Sequence, residues 1–123
     1  MLIFIIIIVA ALHLWFMILE MFLWTKPIGL KIFRNTPDEA GTMRILAGNQ
    51  GLYNGFLAAG LFYSFVINCP DAVFHLRIFC LTCISFAGLY GAITVSRKIF
   101  FIQALPALIG LMTLVVGHGD FRR

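Results

Sequence analysis

Two ionisable residues stand in a stretch that is otherwise almost wholly apolar. His13 and Glu20 both fall within LIFIIIIVAALHLWFMILEMFLW, a run long enough to cross a bilayer as a helix. Ionisable groups inside such a run are costly to keep there and point to function. The two lie seven residues apart, so a helix carries them on one face, and Trp24 continues that stripe. At about 1.5 Å rise per residue they are ~10 Å apart along the axis. Each therefore needs a partner on another helix, or water. A carboxylate in this position suits binding an ion or a polar small molecule. An imidazole, which titrates near neutrality, suits proton relay. As an acid and base pair they suit a proton shift between separated carbons of a lipid-like substrate. The ordinary alternative for His13 is a single hydrogen bond to a backbone carbonyl.

A second block offers the partners. AGNQGLYNGFLAAG, from Ala47 to Gly60, carries Asn49, Gln50, Tyr53 and Asn54. Gly51, Gly55 and Ala59 recur every four residues, a small-residue ridge that lets a neighbouring helix approach closely. Glu20 lies four residues before Trp24, and the amides open the membrane part of the following helix. Gln103 lies equally shallow in the last helix. By helix rise these groups fall roughly 5–12 Å below one membrane surface. The expected site is one polar layer of Glu20, Asn49, Gln50, Tyr53, Asn54 and Gln103, with Tyr90 and Thr94 close by and His13 deeper. Amides and glycines also serve simply as packing contacts between membrane helices. A carboxylate is not needed for that purpose.

Other chemistry is not expected. There is no HExxH, phosphate-binding loop or nucleophile elbow. His13 and Glu20 are too few and too far apart to hold a metal, and no cofactor is implied. Cys69, Cys80 and Cys83 are an odd set, and Cys80 and Cys83 lie in an apolar run, where they read as small hydrophobic side chains. His75 and His118 read as residues of helix ends. The net charge of +4 comes from basic residues scattered through short polar connections, which argues against a nucleic-acid partner and for anionic head groups.

The elements that must position these residues are helices. The chain of 123 residues is 62% hydrophobic and 11% charged, with a mean hydropathy of +1.02. A soluble domain carries roughly 25% charged residues. The expected fold is all-α, an integral membrane bundle of four transmembrane helices in one domain. The helices are expected at about Leu2–Trp24, Pro37–Ile67, Ala72–Val95 and Ile99–Gly117. The first lacks a basic leader and a cleavage site and reads as a retained helix. Pro27 and Gly29 are expected to end it. Ile28, Leu30, Ile32 and Phe33 alternate with Lys26, Lys31 and Arg34, so part of the first connection is expected on the membrane surface. Thr36, Pro37 and Glu39 have the spacing of a capping box opening the second helix. Pro106 is expected to bend the fourth.

The first and third connections hold six basic residues: Lys26, Lys31, Arg34, Arg44, Arg97 and Lys98. Arg77, Arg122 and Arg123 fall on the other side. The first and third connections are therefore expected on the cytoplasmic side of the cell membrane.

The blocks HLWFMILEMFLW, from His13 to Trp24, and NQGLYNGFLAAGL, from Asn49 to Leu61, resemble the small membrane family catalogued as domain of unknown function 1304. Gln103 with Pro106 is similar to it as well. The resemblance implies a short four-helix membrane protein and no known activity. Three functions fit the residues: a site that binds or moves a small molecule or ion around Glu20, an acid/base enzyme acting on a lipid-like substrate, and a non-catalytic accessory subunit. The expected partners are the lipid bilayer and a second copy or another membrane protein.

Overall fold

A computed structural model describes residues 1–121, with side chains to residue 117. Arg122, Arg123 and the His118 side chain, which entered the reading above, lie outside the described residues. Five α-helices follow in order: α1 Leu2–Met21, α2 Pro27–Phe33, α3 Pro37–Tyr63, α4 Pro70–Thr94 and α5 Leu105–Phe121, the last entered through a π-helical turn at Phe100–Ala104. Among the described residues, three stretches are long and apolar enough to cross a membrane: Leu2–Met21, Pro70–Thr94 and Phe100–Gly117. Only 28%, 28% and 22% of them is buried within the chain, so most of their apolar surface faces outward. α3 is the longest helix, at 27 residues. Its amides, glycines and charged first turn leave it less apolar than the other three.

The additional helix is α2. α1 stops at Met21, not Trp24, and the Leu23 amide reaches back to the Ile18 carbonyl at 3.2 Å. Lys26 is extended, at φ −86° and ψ 160°, the conformation required before a proline. Pro27 then opens α2 instead of ending α1, because a first-turn proline lacks only an amide hydrogen that would have no helical partner. Gly29 does not break α2. A Cβ there would fall on the Leu23 carbonyl oxygen, so only glycine fits. Arg34, left-handed at φ 57° and ψ 34°, closes the helix.

α3 begins at Pro37 behind the expected capping box. The Thr36 amide and hydroxyl donate to Glu39 Oε2 at 2.8 and 2.9 Å, and the Glu39 amide donates to Thr36 Oγ1 at 3.3 Å. These bonds favour the charged carboxylate and hold its pKa below the usual glutamate range. α3 ends at Tyr63, short of Ile67, where the Phe65 and Val66 amides tighten onto carbonyls three residues back.

Pro106 disturbs the last helix ahead of itself. It has no amide for the Ile102 carbonyl, and its ring crowds that carbonyl. The backbone widens over Phe100–Ala104, and the Leu105 amide donates to the Phe100 carbonyl. The turn lies where α4 comes closest: a Cβ on Gly88 would sit 2.6 Å from the Ala104 amide nitrogen.

The chain divides into two compact units, Ala11–Ala58 and a second made of Met1–Ala10 with the chain from Ala59 onward. The second has a core of Ile6, Val9, Leu61, Leu81, Ile84, Ala104 and Ala107. Cys80 is buried, Cys83 half-buried and Cys69 exposed, all as free thiols.

Candidate functional site

Within Ala11–Ala58 the glycines of α3 set how near α1 can come. A Cβ on Gly51 would meet Glu20 Cβ at 2.9 Å, Met21 Cγ at 2.8 Å and the Met17 carbonyl oxygen at 3.2 Å. On Gly55 it would meet Met17 Sδ at 2.6 Å. Bare α3 backbone lies under Met17, Glu20 and Met21, so these α1 side chains pack directly on it with no α3 side chain between. Ala58, 2% exposed, continues this face, and Ala59 is exposed. Each step of four residues overshoots a full turn by about 40°, so after two such steps the contact falls one residue earlier.

This close contact places Asn54 beside Glu20. Asn54 Nδ2 donates to Glu20 Oε2 at 2.7 Å, across 34 residues of sequence. Asn54 is buried and Glu20 half-buried. A short bond from an amide to a carboxylate is the stronger, charge-assisted kind when the acid is ionised. Glu20 Oε1 takes part in no hydrogen bond among the described residues. The carboxyl is thus held at one oxygen and open at the other.

The remaining residues of the expected layer fall in different places. Asn49, Gln50 and Tyr53 are exposed. Gln50, one turn before Asn54, lies at the edge of the contact, whereas Asn49 and Tyr53 lie on the opposite face of α3 from Gly51 and Asn54. Leu46 and Phe56 share that face, and the Tyr53 ring meets Phe56 edge-on with centroids 6.0 Å apart. Gln103 lies in the other compact unit, half-buried on the π-helical turn. Tyr90 is exposed, and Thr94 donates its hydroxyl to the Tyr90 carbonyl at 2.8 Å. His13 is 1% exposed, with its ring edge-on to Phe16 at 5.5 Å.

Trp24 lies beyond the end of α1 and so does not extend the stripe of His13 and Glu20. Its indole donates to the Ala40 carbonyl at 3.0 Å, and its ring packs on Phe33 at 4.5 Å. It ties α2 and the start of α3 to the chain leaving α1. Trp24 is thus the fastener of the first connection.

Arg77 is a polar position that the sequence reading placed only in a count of loop charges. It lies inside α4, half-buried, and its Nε donates to Ser64 Oγ at 2.9 Å. Its seven-residue offset from Pro70 was the available signal, since an arginine that far inside an apolar helix is as costly as Glu20 in α1.

The chain is similar to "Uncharacterized protein YpaA" of Lactococcus lactis subsp. lactis (strain IL1403), at 28% identity over 99 residues, covering 79% of this chain and 82% of that protein. No solved structure matches. The family described as "Protein of unknown function (DUF1304)" matches residues 7–115, a stretch that holds Glu20, Asn54 and the helices carrying them. The chain belongs to that family.

Proposed function

We propose that this is a multi-pass protein of the cell membrane that binds or moves a cationic small molecule or ion at Glu20. In this reading α3 is a fourth crossing, paired with α1 through the glycine contact. The first and third connections face the cytoplasm. The observation that carries the proposal is the Asn54–Glu20 hydrogen bond at 2.7 Å, on a helix apolar enough to span a bilayer. A neutral amide orients the carboxyl without cancelling its charge. One carboxylate oxygen is then left for a cation, or for a proton carried in its place.

The test is flux of protons and of sodium or potassium across vesicles reconstituted with the purified chain. Glu20→Gln keeps the size and the amide contact and should lower flux at least tenfold. Asn54→Leu should lower it less, because the carboxylate remains. Flux equal to wild type in both Glu20→Gln and Glu20→Ala removes the reading.

One observation favours a second reading, an accessory subunit. Asn49 and Gln50 are exposed on a helix that would lie in lipid, where unpaired amides are costly. A protein partner would satisfy them from outside the α1 contact, since the glycine face is taken by α1 of the same chain. Co-purification of a stoichiometric membrane partner, lost in Gln50→Leu, is the expected result for this reading. The acid/base enzyme has less support. His13 is almost wholly enclosed and lies two turns from Glu20 along α1.

A further inference from the structure

A second charged group is arranged differently. Arg77 lies seven residues into α4, about 10 Å from the start of that helix by helix rise. Ser64, just past the end of α3, donates its hydroxyl to the Leu61 carbonyl at 2.6 Å. Its oxygen lone pairs are therefore presented to a donor, and Arg77 Nε takes one at 2.9 Å. The guanidinium carbon lies 4.9 Å from the centre of the Phe65 ring, so an aromatic face supports the cation from one side. An arginine at this depth ordinarily extends its head toward the membrane surface. Here the head is tethered at Nε and backed by a ring.

The tether decides which donors remain. A guanidinium has five N–H groups in a planar fork. With Nε engaged by Ser64, the two terminal nitrogens are the pair left for recognition, and they match two oxygens of one oxyanion. A surface cavity of about 390 Å³ adjoins them, lined by Ser64, Phe65, Asn68, Val73, Arg77 and others. That is within the size range of small-ligand sites. Among the described residues no acidic side chain lines it, and Asp71, in the first turn of α4, is not among its residues. Asn68 adds an amide.

The geometry points to an anion site at Arg77 that binds a phosphate-type oxyanion end-on through the two terminal guanidinium nitrogens. The oxyanion is either free phosphate or the phosphate of an anionic lipid head group. The site shares no residue with the Glu20 contact, carries the opposite charge and would take the opposite class of ligand. It requires no chemical step.

The test uses the full chain in two arms. In the first, protein in phosphatidylcholine nanodiscs is titrated with inorganic phosphate, with chloride as control, and thermal unfolding is followed. In the second, detergent-purified protein is mixed with phosphatidylglycerol or phosphatidylcholine vesicles, and retained lipid is read by native mass spectrometry. A stabilising shift with phosphate assigns the soluble anion. Selective retention of phosphatidylglycerol assigns the head group. In either case Arg77→Gln should weaken binding at least tenfold. Arg77→Lys, which keeps the charge and loses the fork, should fall between Gln and wild type. Ser64→Ala should weaken binding several-fold, and Val73→Trp, which fills the cavity and leaves Arg77 in place, should abolish it. The last two carry the test if Arg77→Gln does not fold. The site is overturned if neither probe exceeds its control, or if Val73→Trp and Ser64→Ala both bind like wild type.

Discussion

Glu20 and Arg77 pose one physical problem, a charged group on a helix apolar enough to cross a membrane, and the chain answers it in two ways. Glu20 is held in a tight contact: Gly51 brings the α3 backbone against its Cβ, and Asn54 donates to one carboxylate oxygen. Arg77 is held at the edge of open space: Ser64 fixes Nε, the Phe65 ring backs the guanidinium, and a cavity lies beside it. In both, the nearest polar partner is neutral and comes from α3 or the turn that ends it. Neither charge is cancelled by an opposite one in these contacts, so each stays available to a ligand. The difference lies in how much the surroundings must give. A ligand at Glu20 has to share a close helix contact, whereas a ligand at Arg77 has room beside the group it binds.

That contrast can be broken first at the glycines. Gly55→Leu forces a side chain into the space of Met17 Sδ and should cost about 3 kcal/mol, enough to part α1 from α3. The measurement is unfolding by denaturing detergent, followed by tryptophan fluorescence, since Trp24 reports the same unit. Val73→Trp, into the cavity beside Arg77, should change the unfolding midpoint far less. Equal losses would mean that the two surroundings do not differ as described.

Next in size is the bond to each charge. Asn54→Leu removes the only donor to Glu20 among the described residues, within a close helix contact, and should cost about 1–2 kcal/mol, at the upper end for interhelical hydrogen bonds. Ser64→Ala should cost about 0.6 kcal/mol, the average for such bonds, because water or a head group can replace the hydroxyl at an open cavity. A larger loss at Ser64 than at Asn54 reverses the comparison.

The smallest effect is outside the apolar segments, at Glu39. Its pKa is lowered by the bonds from Thr36. A group lowered on folding stabilises the folded helix start above its unfolded pKa. That contribution is lost as pH falls through the lower, folded value. Amide exchange in the first turn of α3 should therefore quicken in acid below the usual glutamate range, and Glu39→Gln should remove that pH dependence. An unchanged acid response in Glu39→Gln places its origin elsewhere.

Local signals were the readable ones. Thr36, Pro37 and Glu39 announced the start of α3 to the residue because a capping box uses groups adjacent in sequence. Gly51 and Gly55 announced a close helix contact because small residues serve few other purposes in such a helix. They led from Glu20 to Asn54. What escaped depended on partners far along the chain or on backbone detail. Pro27 and Gly29 read as terminators, yet one opens α2 and the other is required by the carbonyls of Leu23 and Trp24. Ala59 fitted a four-residue repeat, but helical drift turns Ala58 inward instead. Arg77 was counted with the loop charges although the expected helix, Ala72–Val95, already contained it, and Ser64 carried no sign of its role until the turn after α3 was formed.

The π-helical turn at Phe100–Ala104 amounts to one residue more than a regular α-helix would use over the same rise. Such a segment records where a helix can gain or lose a single codon with the least disturbance. Deleting one residue there restores the regular winding and keeps the chain on both sides of the turn on its present face, whereas a deletion in a regular helix rotates one side by about 100°. Relatives of this chain are expected to open their alignment gap at this turn, and a one-residue deletion among Phe100–Ile102 should be tolerated where the same deletion in the middle of α4 is not.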